Sequence, residues 1–497
     1  MNEPTAAGSA GLQVTHYNRD VPWLNARIRE DEYLSIQEML DVYSPFGEIR
    51  TVLTALRAGL GVNGYQGSAS PMSLDHVFRR IIGLPGLSTG LDRDIYGGGK
   101  GLTLHDSALS SLGEAIERML GSFSGLTKAT EAAEWHGTSA ELGRLGRAHV
   151  GPKDLQIFAP EQFGEDGFLC EPWTAESRMK WIRGTNLVTG EPWWVPSQLV
   201  HMFYIRDRGE ARIGVSSSGG LAAHLDATRA IRHGTLELVE RDAANLSWFC
   251  RVLPQRLEID APIEDPKLLR WLDSAARSGT DVTFYVHRTD VPDVCVVTAI
   301  AVEAGLDEYC YLAGGGVGLH VESAMRSAVA ELIQSERMVR TPDLAPGWRL
   351  VQGFERMFGI DRDASESDFQ NFIQVVPYYG YAANQSRLDW YFRAADQPVV
   401  RMSELPAHRF ADPAAELEFV RDICHRAGLT PIVFDFTPET FNHVSLQKVF
   451  IPELVPAFPP NLKMLGHRRY FEFPMRLGLS SGPLRYADLT AEPLPYP

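Results

Sequence analysis

An eleven-residue stretch, ALSSLGEAIER at residues 108–118, gathers charged side chains on one side of a predicted helix. Successive residues of an α-helix are about 100° apart, so four polar groups fall within roughly a third of the circumference: Ser110, Glu114, Glu117 and Arg118. Apolar residues flank this face on both sides. The pattern therefore predicts carboxylates that lie close to a hydrophobic core.

A similar pattern recurs twice further along the chain. The related segments are AIRHGTLELVER at residues 230–241 and AMRSAVAELIQ at residues 324–334. Each segment contains Glu-x-x-Glu or Glu-x-x-Gln at helical spacing. A weak internal repeat carries more weight than any one copy, so we interpret the three segments as related helices.

Glutamates that converge near a core need a counter-charge. Ionised carboxylates in apolar surroundings repel one another and lose hydration, at a cost of several kcal/mol for each unpaired ion. Mg²⁺ prefers carboxylate oxygens and keeps phosphates in its shell, while Arg118 and Arg241 offer the bidentate geometry that phosphate favours. The recurrence therefore predicts a magnesium and nucleotide polyphosphate site. One Glu-x-x-Glu-Arg copy alone more often forms a solvated face with ion pairs, and that alternative stays open until the three helices are shown to meet.

Paired strand signals between the helices predict hairpins. Residues 179–188 pair with 193–200 in this interpretation, and residues 284–287 pair with 295–302, with turn residues between the members of each pair. Helices that alternate with hairpins, without a long linker, indicate an α/β or α+β fold. We expect mixed sheets packed against helices in a single large domain, and not a doubly wound parallel sheet.

The predicted domain organisation has two parts. Residues 1–40 begin with small side chains and show weak periodicity, so we expect a flexible N-terminal extension. The domain itself is predicted to occupy residues 41–497.

Charge and composition limit the partners. The chain has 47 basic and 63 acidic residues and a net charge of −16, which excludes a strongly basic nucleic-acid-binding protein. No apolar stretch approaches the ~18 residues of a membrane span, and the opening residues MNEPT lack the features of a signal peptide. We therefore expect a cytoplasmic protein without membrane contact. The five cysteines form no C-x-x-C pair and are expected to be buried free thiols.

Three glycine-rich segments are similar to known motifs but differ from them in detail. Lys100, within residues 97–103, is followed by Gly101 where a phosphate-binding loop needs Ser or Thr for Mg²⁺. Residues 314–318 (GGGVG) lack the lysine, and we expect a flexible turn before the third helix. Residues 478–482 (GLSSG) fit the hydrolase nucleophile pattern, but a proline follows and no helix is predicted there, which favours a loop.

Taken together, the ordered motifs resemble the YcaO family over about residues 40–497. The following motifs carry the resemblance: Gly99-Lys100-Gly101, Ser110-x-x-x-Glu114-x-x-Glu117-Arg118, Gly220-Leu221-Ala222-Ala223, Glu237-x-x-Glu240-Arg241-Asp242-Ala243, residues 324–334, Thr189-Gly190-Glu191 with Val195-Pro196, and Phe450-Ile451-Pro452-Glu453-Leu454. The resemblance implies a YcaO-type fold and an ATP-dependent cyclodehydratase that acts on a ribosomally made precursor peptide. A Cys, Ser or Thr side chain would attack the preceding amide carbonyl, ATP would phosphorylate the resulting oxyanion, and loss of phosphate would leave a thiazoline or oxazoline.

The resemblance also implies roles for particular residues. Four carboxylates would hold Mg²⁺: Glu114, Glu117, Glu237 and Glu240. Six side chains would contact the nucleotide: Lys100, Ser110, Glu114, Arg118, Arg241 and Glu331. Lys100 is the weakest candidate of this set.

The last five residues, PLPYP at 493–497, form a stiff P-x-P-x-P segment because each proline fixes φ near −65°. Such an ending is a hallmark of azoline-forming YcaO proteins, in which the tail enters the active site. By this resemblance the Pro497 carboxylate would serve as a catalytic base or active-site organiser. A frayed chain end is the alternative.

The sequence departs from the family pattern before the second glutamate pair. The family's Ser, Asn and Glu positions hold Ala222, Leu225 and Arg229 here. Leucine cannot ligate Mg²⁺ and arginine repels it, although His224 and Asp226 lie close enough in sequence to compensate. In the third helix the family's nucleotide arginine aligns with Ser327, and Arg326 lies one residue away. These losses keep open a second hypothesis, a catalytically weakened paralogue that acts as a scaffold or docks the peptide.

The resemblance implies further components. A ThiF-like leader-binding partner is expected as a separate chain, and any flavin-dependent azoline dehydrogenase would also be a separate subunit. Family habit indicates a homodimer. Activation of an amide for another nucleophile, as in thioamide formation, would use the same ATP chemistry and is a third possibility.

Overall fold

The computed structural model describes these residues: 12–13, 27–28, 30–41, 49–54, 65–71, 97–101, 104–277, 279–303, 305–344, 359–369, 372–458, 460 and 462–496. The α-helices in them are α1 (Glu30–Asp41), α2 (Leu104–Phe123), α3 (Lys128–Ala133), α4 (Ser139–Arg144), α5 (Ala227–Phe249), α6 (Pro266–Arg277), α7 (Val321–Leu344), α8 (Val375–Gly380), α9 (Asp389–Phe392), α10 (Pro413–Arg426) and α11 (Arg469–Arg476). The strands are β1 (Leu12–Gln13), β2 (Arg27–Ile28), β3 (Ile49–Thr54), β4 (Tyr65–Pro71), β5 (Gly97–Gly101), β6 (Glu134–Gly137), β7 (Met179–Asn186), β8 (Pro192–Pro196), β9 (Leu221–His224), β10 (Gln255–Glu258), β11 (Val282–Val286), β12 (Cys295–Val302), β13 (Tyr311–Gly318), β14 (Val399–Arg401), β15 (Ile432–Asp435) and β16 (Ser445–Phe450).

Three sheets form the framework. The first has the order β3-β4-β5, the second β6-β7-β15-β16-β9 with β8 paired to β7, and the third β13-β12-β11-β10-β14. All pairs in these sheets are antiparallel except the parallel pair β10–β14. The predicted α+β character with mixed sheets in one domain is confirmed, as are the hairpins β7–β8 and β11–β12.

The three predicted helical segments lie within α2, α5 and α7, and each helix packs on a different sheet. Helix α2 covers β3, β4 and β5, α5 covers β16 and β9, and α7 covers β13 and β12. Each helix also contacts the edge strand of a neighbouring sheet: α2 contacts β9, α5 contacts β13, and α7 contacts β5. This cyclic arrangement directs one face of every helix towards a common centre.

Glycines in two edge strands allow the helices to approach closely. A Cβ atom on Gly99 of β5 would lie 2.2 Å from the carbonyl oxygen of Ser107 in α2. In β13, a Cβ atom on Gly316 would lie 2.3 Å from the carbonyl oxygen of Ala324 in α7. Both distances are far shorter than van der Waals contact, so only glycine permits these backbone-to-backbone contacts.

The prediction of a flexible turn at residues 314–318 is therefore wrong. These residues belong to β13 and pair continuously with β12. A run of glycines suggested conformational freedom, but here the absence of side chains serves close packing against α7 instead.

The large apolar core lies between α5, α7 and the third sheet. Its fully buried side chains include Trp248, Tyr311 and Tyr379. All five cysteines are buried and free, as predicted. The loop predicted at residues 478–482 is also confirmed, because α11 ends at Arg476.

Helix α1 lies across the boundary that the sequence predicts near residue 41. Met39 packs against the apolar cluster of α2, and the Glu38 carboxylate accepts the backbone N–H groups of Asn442 and His443, each at 2.7 Å. Most of residues 1–40 lie outside the described residues, so the flexible extension and the bounds of the domain stay predictions.

Among the described residues, the helices that are long enough to cross a bilayer are too polar to do so.

Candidate nucleotide and metal site

Helix α2 supplies the first group of site residues. The Arg118 guanidinium lies 3.5 Å from the Glu114 carboxylate and 3.9 Å from the Glu117 carboxylate, and it donates a hydrogen bond to the Ser218 hydroxyl at 2.7 Å. Glu117 accepts the backbone N–H of Ala223, on edge strand β9, at 3.2 Å. These contacts connect the first helix to the second sheet.

Helix α5 supplies the second group. The Glu237 carboxylate accepts the backbone N–H of Gly220 at 3.0 Å, and its other oxygen lies 3.8 Å from the Arg241 guanidinium. Glu240 is one turn along the same face and approaches Gly315 of β13, where a Cβ atom would lie 2.5 Å from its carboxylate. The second helix therefore reaches the edge of the third sheet.

Helix α7 supplies the third group and closes the ring. The Glu331 carboxylate accepts the Gly315 N–H at 3.0 Å and pairs with the Lys100 ammonium of β5 at 2.8 Å. Gln334 lies one turn further on, with its amide directed at Gly98 of the same strand. All seven predicted charged groups on these three helices are thus brought together with Lys100, although Lys100 and Glu331 are 231 positions apart in sequence.

Ser110 is half-buried on the same helix as Glu114, one turn nearer the N-terminus. Seven of these side chains keep between 17 and 34% of their surface accessible: Lys100, Glu114, Glu117, Arg118, Glu237, Arg241 and Glu331. The recess that they line is therefore open to a ligand.

The electrostatics of the recess favour a bound cation. Burial raises the pKa of Glu117 to about 8, and that of Glu240 to about 8, because neighbouring carboxylates add repulsion that Arg118 and Arg241 only partly offset. The pKa of Glu114 is raised by burial as well. Glu331 behaves differently, because Lys100 and Arg241 outweigh its burial and lower its pKa.

The pKa of Arg241 is also raised, and for a basic group this favours the charged form. Burial disfavours the charged form of Arg241, but Glu240, Glu237 and Glu331 together raise its pKa. The Tyr496 phenol near the end of the chain contributes in the same direction.

The donor set fits magnesium held jointly with phosphate. Among the described residues, no three acidic, histidine or cysteine side chains stand close enough to enclose a metal ion by themselves. Mg²⁺ commonly takes only one or two protein carboxylates and completes its shell with water and substrate phosphates. Oxygen donors whose protonation results from burial and mutual repulsion would be ionised by such a cation.

The departures from the family pattern are explained by local pairing. Arg229 donates to the Asp226 carboxylate at 2.5 Å, and Asp226 also caps α5 by accepting the Arg229 N–H at 2.8 Å. Asp226 is thereby engaged and does not compensate for a lost metal ligand in the way the sequence suggested. Arg326 pairs with Asp265, which directs it away from the recess.

Two residues near the recess were missed by sequence reasoning. Lys448 of β16 is only 3% exposed, and burial lowers its pKa to about 8 against the opposing effect of Glu237 and Glu117. His233 of α5 is exposed at the surface; desolvation is the largest contribution to its lowered pKa, and the charges of Glu237 and Lys100 also act on it. The available signal for Lys448 was its position directly before the largely apolar stretch VFIPELV at residues 449–455, because lysine is rarely buried.

The C-terminal segment crosses an aromatic groove beside the site. Prolines lack N–H groups, so a proline-rich segment offers mainly carbonyl acceptors and needs donors from its surroundings. Three ring donors meet it: Trp248 to the Glu492 carbonyl at 2.9 Å, Tyr379 to the Pro493 carbonyl at 2.7 Å, and Tyr311 to the Pro495 carbonyl at 2.9 Å.

Tyr496 anchors the end of this segment in the core. Its hydroxyl lies 3.3 Å from the Tyr391 hydroxyl and 3.4 Å from Nε2 of His287. Pro497, the predicted catalytic residue, lies outside the described residues.

Residues 98–455 match the family described as YcaO cyclodehydratase, ATP- and Mg²⁺-binding. The match covers well over half of the chain, and the chain belongs to the YcaO family. This agrees with the edge strands, helices and carboxylates described above.

Two curated relatives are uncharacterized proteins. One, from Methanothermobacter thermautotrophicus, is 29% identical over 218 residues, which cover 42% of this chain and 55% of the relative. The other, in the tfuA 3' region of Rhizobium leguminosarum bv. trifolii, is 29% identical over 253 residues, which cover 48% of this chain and 54% of the relative. The matches therefore span about half the length of these relatives.

Solved structures share the fold at low sequence identity. A heterocyclase in complex with substrate and cofactor has a TM-score of 0.72 at 19% identity, covering 93% of this chain and 57% of that one. YcaO from Methanopyrus kandleri, bound with AMPPCP and Mg²⁺, has a TM-score of 0.55 at 19% identity, covering 85% and 90%. The Escherichia coli microcin synthetase McbBCD complex with pro-MccB17 bound has a TM-score of 0.54 at 12% identity, covering 90% and 96%.

Proposed function

We propose that this chain is an ATP- and Mg²⁺-dependent cyclodehydratase that converts Cys, Ser or Thr residues of a ribosomally synthesised precursor peptide into thiazolines or oxazolines. The observation that carries the proposal is the meeting of partly buried glutamates from three helices with Lys100, Arg118 and Arg241 in one open recess. MgATP would supply the phosphoryl group that activates the amide oxygen.

The carboxylates are proposed to hold the metal. Glu114 and Glu117 come from α2, and Glu237 and Glu240 come from α5, so one cation can bridge two helices. Without a cation, burial and the repulsion among these carboxylates together keep the pKa values of Glu117 and Glu240 high. A magnesium ion with its phosphates would offset that repulsion and so stabilise the ionised carboxylates.

The basic side chains are proposed to bind the triphosphate. Arg118 and Arg241 present guanidinium groups to phosphate oxygens, and they stabilise charge that develops on the transferred group. Lys100 is engaged by Glu331 at 2.8 Å, so phosphate would share this ammonium with the carboxylate. Ser110 would add a hydroxyl donor from the same face of α2.

The tail is proposed to complete the active site. The groove donors fix the carbonyls of Glu492, Pro493 and Pro495, and the Tyr496 hydroxyl lies against Tyr391 and His287. Pro497 would then be held near the reacting amide with little further loss of entropy, and its carboxylate would accept a proton or orient the substrate.

Partners are proposed by analogy with the complexes above. A separate ThiF-like chain would bind the leader of the precursor peptide, and a flavin-dependent dehydrogenase would carry out any oxidation to azoles. The proposal includes a homodimer in the cytoplasm.

The test uses Mg-AMPPCP as a probe for the site and the precursor peptide with its partner chain for the reaction. Wild-type protein should bind Mg-AMPPCP in calorimetry, release phosphate from ATP, and lower the peptide mass by one water per ring. Glu117→Ala should weaken nucleotide binding by about tenfold to a hundredfold. Glu418→Ala, which removes an exposed partner of Arg421, is the matched control and should behave as wild type.

A scaffold subunit is the second candidate, favoured by the pairing of Arg229 with Asp226 and of Arg326 with Asp265 outside the recess. A scaffold would co-purify with its partners yet release no phosphate and leave the peptide mass unchanged. Deletion of residues 495–497 separates the candidates further, because it should abolish ring formation by an enzyme while complex assembly persists. Activation of an amide for an external nucleophile is the third candidate, and a mass change other than water loss would identify it.

A further inference from the structure

A buried lysine outside the repeated helices contacts the backbone next to the site. Lys448 lies in β16 between apolar Leu446 and Val449 in the buried part of the second sheet. Its ammonium donates hydrogen bonds to the carbonyl oxygens of Ser217 at 2.8 Å and Gly219 at 2.7 Å. A buried amine is costly unless such acceptors satisfy it, so these two bonds account for its orientation.

The bend that Lys448 holds, residues 217–220, carries contacts to two different helices. The Ser218 hydroxyl accepts from Arg118 of α2 at 2.7 Å. The Gly220 N–H donates to Glu237 of α5 at 3.0 Å. A displacement of the bend would therefore move an arginine and a glutamate together.

Strand β16 fixes the bend from a second point. The Val449 N–H donates to the Gly220 carbonyl at 2.7 Å. Gly220 has φ +77, and a Cβ atom there would lie 2.3 Å from the Val449 carbonyl oxygen. Residues 448 and 449 thus clamp both ends of the bend against the sheet.

We propose that Lys448 is a positioning residue for nucleotide binding, which sets Arg118 and Glu237 at a fixed separation by holding the bend at residues 217–220. This inference rests on the proposed function, because it assigns a task to Lys448 within that site. Arg118 donates a hydrogen bond to Ser218 of the bend, and Glu237 accepts one from the Gly220 N–H of the same bend.

The proposal predicts a defect in affinity that exceeds any defect in folding. Lys448→Met keeps the length and apolar stem of the side chain but removes both hydrogen bonds. We expect it to weaken Mg-AMPPCP binding by about tenfold, in line with the loss of an outer contact that orients metal ligands and phosphate ligands. Lys448→Arg keeps donors at the end of a long stem and should recover part of that affinity.

Lys463 offers a matched control elsewhere in the fold. It is also buried, at 6% exposure, and its ammonium donates to the Ala491 carbonyl and pairs with Glu366. Lys463→Met and Lys448→Met should both lower the thermal midpoint, but Lys463→Met should leave the affinity for Mg-AMPPCP unchanged. The difference between the two variants separates positioning from general stability.

Calorimetric titration of the full chain with Mg-AMPPCP, below the unfolding transition of each variant, is the experiment. Wild-type affinity in a folded Lys448→Met variant would overturn the inference. If that variant does not fold, Ser218→Ala carries the test: a threefold or greater loss of affinity at unchanged thermal midpoint supports it, and no loss overturns it. A wild-type chain that binds no Mg-AMPPCP would refute the proposed function itself, and the Lys448 assignment with it.

Discussion

The site has three walls, and they are built in two ways. In the α2–β5 and α7–β13 walls, helix backbone lies directly on strand glycines, and the alternate glycines of the same strands face the recess. In the α5–β9 wall the close approach is made instead by the bend at residues 217–220, which β16 holds in place. The α5–β9 wall therefore adds hydrogen bonds from β16 to close glycine contacts of its own, at Gly220 and Gly234, whereas the other two walls place helix backbone directly on strand glycines.

This difference between the walls affects how packing and binding are coupled, because successive residues of a strand point to opposite faces. In β13, Gly316 faces the helix and Gly315 faces Glu240, so packing and binding depend on neighbouring residues of one strand. In the α5–β9 wall the same bend serves both purposes, so packing and binding are coupled there. Substitutions should therefore separate the two effects in one kind of wall and not in the other.

The largest effect is expected at Gly316. Gly316→Ala places a Cβ atom 2.3 Å from the Ala324 carbonyl oxygen, and neither backbone can move without disturbing the sheet or the helix. Overpacking of this kind typically costs about 1–3 kcal/mol and occasionally more. Chemical denaturation should show this loss of stability directly.

Gly315→Ala is the matched comparison on the opposite face of the same strand. Its Cβ atom meets the end of the Glu240 side chain at 2.5 Å, and a side chain can move. We expect near wild-type stability and weaker Mg-AMPPCP binding. Equal stability losses for the two variants would contradict the face assignment of β13.

A smaller effect is expected in the bend. Gly220→Ala is destabilised for two reasons: the backbone has φ +77, and the new Cβ atom would lie 2.3 Å from the Val449 carbonyl oxygen. Gly209→Ala meets only a positive φ, +83, with nothing within 4 Å of the new Cβ atom. The positive φ alone costs roughly 1 kcal/mol, so the excess loss in Gly220→Ala measures the packing of the bend. Gly220→Ala should also weaken Mg-AMPPCP binding, whereas Gly209→Ala should not.

The walls should also differ in their response to pH. Glu117 and Glu240 have pKa values of about 8 in the folded chain against 4.5 ordinarily, so the folded state binds more protons between these values. Their contribution to stability is fully present below pH 4.5 and is lost as pH rises towards 8. Glu331, with a lowered pKa, contributes in the opposite sense and loses its contribution only in acid.

Urea unfolding at pH 6 and pH 8 measures this slope. Glu117→Gln should flatten it, because an amide does not titrate, while Glu331→Gln should flatten it less, through loss of the repulsion that helps to raise the pKa of Glu240. Saturating Mg-AMPPCP should also flatten it, since a bound cation favours the ionised glutamates. A slope that is unaffected by Glu117→Gln would remove this carboxylate from the explanation.

The smallest effect is expected at Arg326. This side chain pairs with Asp265 outside the recess, so Arg326→Gln should change Mg-AMPPCP affinity by less than about twofold. Arg241→Gln, on the recess itself, should weaken the affinity by at least tenfold, since hydrogen bonds to charged groups contribute about 1.5–3 kcal/mol. Comparable losses in both variants would mean that Arg326 reaches the nucleotide after all.

Much of the framework was predictable from local sequence. The three helical segments were recognised because apolar and acidic residues recur at helical spacing, and the hairpins because turn residues separate bulky ones. The charged groups of the site were also recognised, since Glu-x-x-Glu places both carboxylates on one helix face. Their roles in binding ATP and Mg²⁺ stay predictions.

Other features escaped local reasoning for identifiable reasons. Residues 314–318 looked flexible because glycine has no preferred structure of its own, and only the helix packed above them explains the run. Asp226 looked available to a metal, but its oxygens cap α5 and pair with Arg229. Lys448 carried no motif, since its acceptors are backbone carbonyls 229 and 231 positions away.

The sequence by itself determined which side chains share each helix face, because the helical period acts between residues three or four positions apart. It also determined the chemistry of those faces, acidic with basic partners. Only the tertiary structure decided that the three faces meet. It also decided that β13 packs on a helix with one face and lines the recess with the other, and that Lys448 holds the bend that contacts both α2 and α5. The physical reason is that such contacts depend on how sheet edges and helices pack, and packing couples residues that no local pattern connects.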